Sequence, residues 1–213
     1  MSTHAYYREA HPLIFVITHW INLVCMVMLA FSGFYIHYPF FDGFMGVARG
    51  MHFVAMYVVI INLTFRIIAA FFVKSANKMG TREVDLDIKN WLPQEENKHQ
   101  FWETVKYYLF LRKEGVISGK YGSLQKISYL ATIPLTYLQA YTGFCIYAPA
   151  MDLGFFKGGL ELVGGPMNMR IIHYFMMWVF IVFTMLHAYL ANIYNFAPSK
   201  IIFLWKETEA KGH

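Results

Sequence analysis

The stretch MRIIHYFMMWVFIVFTMLHAYLANIYN, residues 169–195, decides how this chain folds. It is predominantly apolar and exceeds the roughly 20 residues that a helix needs to cross a bilayer. Two histidines, His173 and His187, lie fourteen positions apart within it. At about 100° and 1.5 Å per residue, both imidazoles fall on one stripe of a helix, about 21 Å apart. Because imidazoles in hydrocarbon are costly and usually functional, this stripe predicts one nitrogen ligand at each of two depths, and bis-histidine haem is the obvious candidate.

The rest of the chain has the composition of a membrane protein. Hydrophobic residues make up 57% of it and charged residues only 15%, and its mean hydropathy is +0.39. These values exclude an ordinary soluble domain. Apolar segments at about 13–37, 49–73, 126–151 and 169–197 predict four spans. We therefore expect an all-α membrane protein, a four-transmembrane-helix bundle that forms a single domain over residues 1–213.

The two cysteines, Cys25 and Cys145, both fall inside predicted spans. Two thiolates are too few to hold an iron–sulfur cluster, and the sequence has no C-x-x-C-H motif for covalent haem attachment. Any haem in this protein is therefore expected to be b-type and held without a covalent bond.

Basic residues are distributed unevenly between the predicted loops. Fourteen Lys and Arg residues lie in the N-terminal lead, the segment 74–126 and the C-terminal tail, whereas the two opposite loops have three. Positive residues accumulate on the cytoplasmic side of membrane proteins, so both termini and the middle loop are predicted to be cytoplasmic. Nucleic-acid binding explains the formal net charge of +5 less well, because acidic residues are mixed into the same loop.

Two connecting segments have recognisable patterns. The apolar residues of KHQFWETVKYYLFLRK, residues 98–113, recur at helical spacing and predict an amphipathic interfacial helix in the cytoplasmic loop. The sequence leaves open whether residues 74–96 are ordered. Residues 152–168 are rich in glycine and are expected to form a loop.

Two of the predicted spans end in similar sequences. SGFYIHYP (32–39) is echoed by TGFCIYAP (142–149), which hints at an internal duplication.

Depth sorts the intramembrane histidines into two pairs. His19 lies about 9 Å below the cytoplasmic edge of its span, and His187 about 12 Å below it. His52 and His173 each lie about 6 Å below the outer edge. Each pair could bind one haem iron, with the two haems stacked across the bilayer.

A purely structural role and a zinc site both fit these four histidines less well. The rings could be buried polar groups bonded to neighbouring carbonyls, which is common between membrane helices. Four histidines at two matched depths make that interpretation unattractive, since ionisable groups are rare in spans. Zinc prefers about four ligands at one point, and these four are divided between two depths.

Arg66 follows His52 by fourteen positions, the offset that also separates His173 and His187. It is therefore expected at the depth of the inner pair, facing the bundle interior, where it could bind a haem propionate or a quinone oxygen. Snorkelling to the inner lipid headgroups explains an arginine at this position equally well, and both interpretations stay open.

Several motifs together resemble a known family. In chain order they are THW (18–20), R-x-x-H (49–52), Arg66, W-x-x-x-K-Y-Y-L-F-L-R-K (102–113), TGFCIY (142–147) and H-x13-H (173–187). This set resembles the b-type cytochrome subunit of membrane-bound NiFe hydrogenases. It is also similar to formate dehydrogenase gamma and thiosulfate reductase cytochrome b subunits.

The resemblance implies an electron path across the cytoplasmic (inner) membrane of a bacterium or archaeon. Electrons from the large and small subunits of a periplasmic hydrogenase would reach an outer haem b at His52 and His173. An inner haem b at His19 and His187 would follow, and then a quinone such as menaquinone. The chain would not be the hydrogen-activating subunit itself, and the family leaves the haem count at one or two.

The sequence is also compatible with two alternative functions. The chain could be the cytochrome b subunit of a formate dehydrogenase or thiosulfate-type reductase, which would differ in its partner rather than in its haem chemistry. It could also be a haem-free membrane anchor or a small transporter, in which case the purified protein would have no visible absorption.

Overall fold

The computed structural model describes residues 5–77, 80–91, 101–112, 123–192 and 196–208. Most of these residues are helical. The helices are α1 (Leu13–His37), α2 (Met45–Ala70), α3 (Ile88–Trp91), α4 (Phe101–Tyr108), α5 (Ser123–Cys145), α6 (Gly154–Leu162), α7 (Pro166–Asn192) and α8 (Ala197–Leu204). Two short strands, β1 (Lys74–Ala76) and β2 (Val84–Leu86), pair antiparallel with Ser75 opposite Asp85. The helical class was predicted, and the hairpin was not.

Among the described residues, three helices are long and apolar enough to cross a membrane. They are α1, α2 and α7, with mean hydropathies of 2.2, 2.1 and 1.8. Helix α5 occupies the position of the third predicted span and contains Pro134; its crossing of the membrane, and with it the four-span count, stays a prediction. Helix α7 ends at Asn192, and residues 193–195 of the last predicted span lie outside the described residues.

The chain divides into two compact units. The first consists of Met1–His19, Thr64–Thr132 and Ala188–His213. The second consists of Trp20–Leu63 and Ile133–His187, so it contains the larger parts of the three span-length helices, the C-terminal part of α5 and all of α6. The sequence-based prediction of a single domain stays a prediction.

In the second unit, α1 and α2 pack through small side chains. Cys25, Ala55 and Val59 form a buried cluster between these helices. Small residues let helix backbones approach closely in membranes, where lipid is as apolar as the packing surface. Large apolar side chains elsewhere on α2 are exposed instead: Val54 is 61% exposed and Ile61 is 68% exposed. In a bilayer such side chains contact lipid.

Helix α6 forms within the glycine-rich segment that the sequence predicted to be a loop. Its Leu160 is buried with Cys145 of α5 and Met169 of α7. A Cβ at Gly159 would overlap the hydroxyl oxygen of Tyr141 and would lie 2.9 Å from the Tyr141 Cζ atom and 3.1 Å from the Cys145 sulfur, so the glycine lets α6 contact α5 closely. Packing here outweighs the low helix propensity of glycine, which is about 1 kcal/mol per residue.

In the first unit, residues near the two ends of the chain contact each other. Tyr6 forms an antiparallel bridge with Thr208, and Ile201 of α8 is fully buried in a cluster with Tyr6, Ala10 and Ala197. Of the amphipathic helix predicted over 98–113, residues 101–108 form α4, whereas residues 109–112 are not helical. Its location at a membrane interface stays a prediction, and residues 98–100 and 113 lie outside the described part of the chain.

Candidate two-histidine site

His52 on α2 and His173 on α7 lie side by side in the second unit. Their ring centroids are 6.3 Å apart and their planes are inclined by 66°. Metal–imidazole bonds of about 2.0–2.1 Å on both sides of one ion, with the ring radii added, give a centroid separation of about 6 Å. The two imidazoles are therefore spaced so that one metal ion can bind both.

A hydroxyl group on α1 determines which nitrogen of His52 can bind a metal. The Oγ atom of Ser32 lies 2.9 Å from His52 Nδ1 and donates its own hydrogen to the Met28 carbonyl at 2.6 Å. Because that hydrogen is already used, the hydroxyl oxygen accepts from His52 Nδ1–H. The lone pair of the ring is then on Nε2, the nitrogen left for a metal.

His173 has a matching partner on α5. The Oγ1 atom of Thr142 lies 2.8 Å from His173 Nδ1 and donates to the Gln139 carbonyl at 2.8 Å. The same reasoning places a hydrogen on Nδ1 and the lone pair on Nε2. The Gln139 side-chain nitrogen is 3.5 Å from Nε2, at the outer limit of a hydrogen bond. Both histidines thus present an acceptor Nε2, each oriented by a hydroxyl group.

The two rings line a cavity of about 750 Å³ whose walls come from α1, α2, α5 and α7. Apolar side chains such as Met56, Phe180 and Ile181 form most of these walls. Cavities of about 300–1,000 Å³ with apolar walls and a few polar groups are typical of cofactor sites. The Oε1 atom of Gln139 is buried at this cavity and has no hydrogen-bond partner among the described residues.

Two glycines give the imidazoles room. A Cβ at Gly143 on α5 would lie 3.1 Å from the Cε1 atom of His173. A Cβ at Gly33 on α1 would lie 3.7 Å from the Cε1 atom of His52 and 3.2 Å from the Met177 sulfur. Each glycine directly follows the residue whose hydroxyl orients the same histidine. The donor chemistry, spacing and apolar walls fit a haem held by two histidines.

The predicted inner pair is divided between the two units. His19 of α1 is half-buried in the first unit. His187 of α7 is half-buried in the second unit, where its ring stacks on Phe183 at 6.1 Å. Iron ligation by these two residues stays a prediction.

Arg66 binds a carboxylate of its own unit. Its Nη2 atom is 2.6 Å from Oδ2 of Asp87, whose side chain is fully buried. Asp87 also accepts from Ser75 Oγ at 2.6 Å and from Trp91 Nε1 at 3.1 Å. The guanidinium lies 3.6 Å from the centroid of the Phe15 ring. Arg66 therefore fixes the segment after α2 to the end of that helix, and its predicted role in cofactor binding stays a prediction.

Sequence reasoning did not identify the residues that orient the histidines. In the sequence, Ser32 and Thr142 stand out only as parts of an echo between two spans. That echo, [ST]-G-F, is the signal that could have identified them, because it supplies one hydroxyl and one glycine to each ring. Arg170, which also lines the cavity, stands three residues before its histidine, as Arg49 does.

The helices are apolar and of membrane length, and they hold two half-buried imidazoles with acceptor Nε2 atoms. These features are those of membrane cytochromes that bind haem non-covalently between two histidines. The chain matches the sequence model of the prokaryotic cytochrome b561 family over residues 10–203, and it belongs to that family. The protein is therefore an integral membrane cytochrome with haem b as its cofactor and electron transfer as its role.

Named relatives agree with the family. A protein of Azotobacter chroococcum mcd 1 named "Probable Ni/Fe-hydrogenase B-type cytochrome subunit" is 29% identical over 190 residues, which cover 81% of this chain and 75% of the relative. A protein of Azotobacter vinelandii with the same name is 28% identical over 190 residues, with the same coverage. "Probable Ni/Fe-hydrogenase 1 B-type cytochrome subunit" of Escherichia coli (strain K12) is 24% identical over 193 residues, covering 82% and 78%. The resemblance seen in the sequence is thereby confirmed.

Proposed function

We propose that this cytochrome carries electrons from a periplasmic NiFe hydrogenase to the membrane quinone pool. The observation that supports this most is the pair His52 and His173, 6.3 Å apart with both Nδ1 atoms hydrogen-bonded. The names of the relatives support a hydrogenase as the partner. The positive-inside bias supports an outer location for this pair, on the side that a periplasmic partner would contact.

The side chains around the pair act as ligands and supports. His52 and His173 would hold the iron through Nε2, and haem b supplies a reversible one-electron Fe(III)/Fe(II) couple when bound. Ser32 and Thr142 keep each ring in one tautomer and one orientation. The apolar walls exclude water, so the charge of the site is screened less than at a surface.

A second haem at His19 and His187 would extend the path toward the cytoplasmic side. Two such sites would bring electrons close to the inner surface, where a quinone could accept them together with cytoplasmic protons. Two sequence features support this second haem. His187 follows His173 on α7 by fourteen residues, and the depth predicted for His19 matches that of His187.

The direct test begins with membranes that contain the chain and its native partners. We expect added hydrogen gas to reduce b-type haem, seen as an absorption difference, and a quinone analogue to reoxidise it. A pyridine haemochrome assay on the purified chain then counts one haem or two. A purified chain without visible absorption would make it a haem-free anchor and would contradict the proposal.

The identity of the partner is tested separately. We expect the hydrogenase large and small subunits to co-purify with the chain from gently solubilised membranes. Reduction of the haem by formate, with no response to hydrogen, would instead identify the chain as a formate dehydrogenase subunit and would overturn the choice of partner while leaving the cytochrome intact.

A further inference from the structure

Each histidine of the outer pair is preceded by an arginine at the same spacing. Arg49 stands three residues before His52 on α2, and Arg170 stands three residues before His173 on α7. Residues at i and i+3 are neighbours on a helix surface, with an axial rise of about 4.5 Å. Both arginines line the cavity that the two imidazoles line. Two helices thus each contribute one histidine and one arginine to the lining of the cavity.

The charges of this cavity are of one sign. No aspartate or glutamate is among its lining residues, and its two permanently charged side chains are Arg49 and Arg170. Neither guanidinium forms an ion pair with a residue in the part of the chain that the structure describes. The remaining walls are largely apolar. A ligand that matches such a cavity has a broad apolar body and two anionic groups.

The repetition extends to the supporting helices. Helix α1 supplies Ser32-Gly33 beside His52, and α5 supplies Thr142-Gly143 beside His173. Two segments of the chain therefore contribute the same set: a hydroxyl, a glycine, an imidazole and an arginine. A repeated set suits a ligand whose two ionic contacts are also equivalent.

We propose that Arg49 and Arg170 bind the two propionate carboxylates of the haem held by His52 and His173. Guanidinium groups pair with carboxylates through two parallel hydrogen bonds and keep their charge at any physiological pH. Two cations lining the cavity of a haem would favour its reduced, less positive state, so these arginines would set its reduction potential as well as its orientation. This inference rests on the proposed function, because it needs haem at this pair.

The test is a spectroelectrochemical titration of the full-length chain, purified with haem in a neutral detergent. We expect Arg49→Gln and Arg170→Gln each to lower the midpoint potential of this haem by up to about 59 mV, a tenfold change in a one-electron equilibrium. Arg49→Lys and Arg170→Lys retain the positive charge and should shift the potential less. Lys157→Gln is the matched control, because it removes an exposed cation of the same unit that does not line the cavity.

Each outcome bears on one proposal. If both glutamine variants bind haem with the wild-type potential, the propionate assignment is wrong and the cytochrome function stands. If the shift occurs only in phosphatidylglycerol vesicles and not in neutral detergent, the arginines bind lipid phosphates, which also overturns the assignment. If the wild-type chain itself binds no haem, the proposed function fails before the arginines are tested. If one glutamine variant does not fold, the other still decides the test, because each arginine is expected to shift the potential by itself.

Discussion

One hydroxyl group fixes the tautomer of each histidine in the pair His52 and His173. Ser32 and Thr142 are almost fully buried, and each directs its hydrogen to a carbonyl of its own helix. The oxygen can then only accept from the imidazole, so Nδ1 carries the hydrogen and Nε2 stays open. Partners of this kind fix both the tautomer and the ring orientation of metal-binding histidines.

Removing these hydroxyls should weaken haem binding without removing a ligand. We expect Ser32→Ala and Thr142→Ala each to lower haem affinity by about 10–100-fold, the usual cost of losing the partner of a metal-binding histidine. Haem transfer to an excess of apo-myoglobin measures this affinity. Thr184→Ala is the matched control, because Thr184 lines the cavity but donates to the Phe180 carbonyl rather than to a histidine. Equal haem loss in all three variants would contradict the role of the hydroxyls.

The buried carboxylate of Asp87 is expected to stabilise the first unit through its ion pair with Arg66. Asp87→Asn would leave the Arg66 guanidinium, only 20% exposed, without its anionic partner. Breaking a buried ion pair on one side costs about 3–5 kcal/mol, so we expect a clearly lower free energy of unfolding in denaturant titrations. Asp85→Asn serves as the control, since its ion pair with Lys89 is exposed and contributes little. A wild-type denaturation midpoint in Asp87→Asn would contradict this account.

At the scale of elements, α6 shows how packing overrides local preference. Gly159 is buried where α6 contacts α5. Gly159→Ala would force a methyl group against the Tyr141 side chain and the Cys145 sulfur, and overpacking of this kind typically costs about 1–3 kcal/mol. Thermal unfolding in detergent should show the loss. Gly158→Ala has open space around the added methyl group, and it should be neutral or slightly stabilising; a larger loss at Gly158 than at Gly159 would rule out the contact.

The elements that could be predicted are those with a long, uniform signal. The apolar segment predicted over 13–37 coincides with α1, because a run of this length without charge has few alternatives to a buried helix in a membrane. The hairpin was missed because strands of three residues are too short for an alternating pattern. Helix α6 was missed because glycine usually marks loops, and only the contact with α5 explains its helical state.

That His52 and His173 belong to one site could be predicted from the sequence, whereas the residues that orient their rings could not; iron binding by the pair stays a prediction. His52 and His173 stand out because ionisable residues are rare in apolar segments. Ser32 and Thr142 do not stand out, since hydroxyl residues are ordinary in membrane helices and their partners depend on helix rotation. Arg66 shows the same limit, because its spacing indicated a depth but not the Asp87 carboxylate that binds it.

At the scale of the whole molecule, exposed ion pairs in the first unit join segments near the two chain ends. Arg82 contacts Glu9 at 2.7 Å and Glu207 at 3.4 Å. Burial raises the pKa of Glu9, but its hydrogen bonds with its own backbone and with Arg82 outweigh this and hold the pKa below the ordinary value of 4.5. A lowered carboxyl pKa stabilises the fold above that ordinary value, and the stabilisation disappears as the pH falls through the lowered pKa.

The free energy of unfolding should therefore decrease as the pH falls below 4.5, in part because Glu9 becomes protonated. We expect thermal unfolding temperatures of the wild type to fall in this range, and Arg82→Gln to start lower at neutral pH and fall less. Lys200→Gln removes an exposed cation of the same unit and should follow the wild-type curve. Parallel curves for Arg82→Gln and the wild type would show that this contact does not contribute.

The proposed electron-transfer site requires one iron bound by residues of two helices. Electron paramagnetic resonance of the oxidised chain measures this most directly, since ferric haem with two imidazole ligands is low-spin. We predict that His52→Ala and His173→Ala remove the same low-spin signal, and that His11→Ala, outside the predicted spans, leaves it unchanged. If either of the first two variants keeps every low-spin signal of the wild type at full intensity, the pairing of His52 with His173 is wrong.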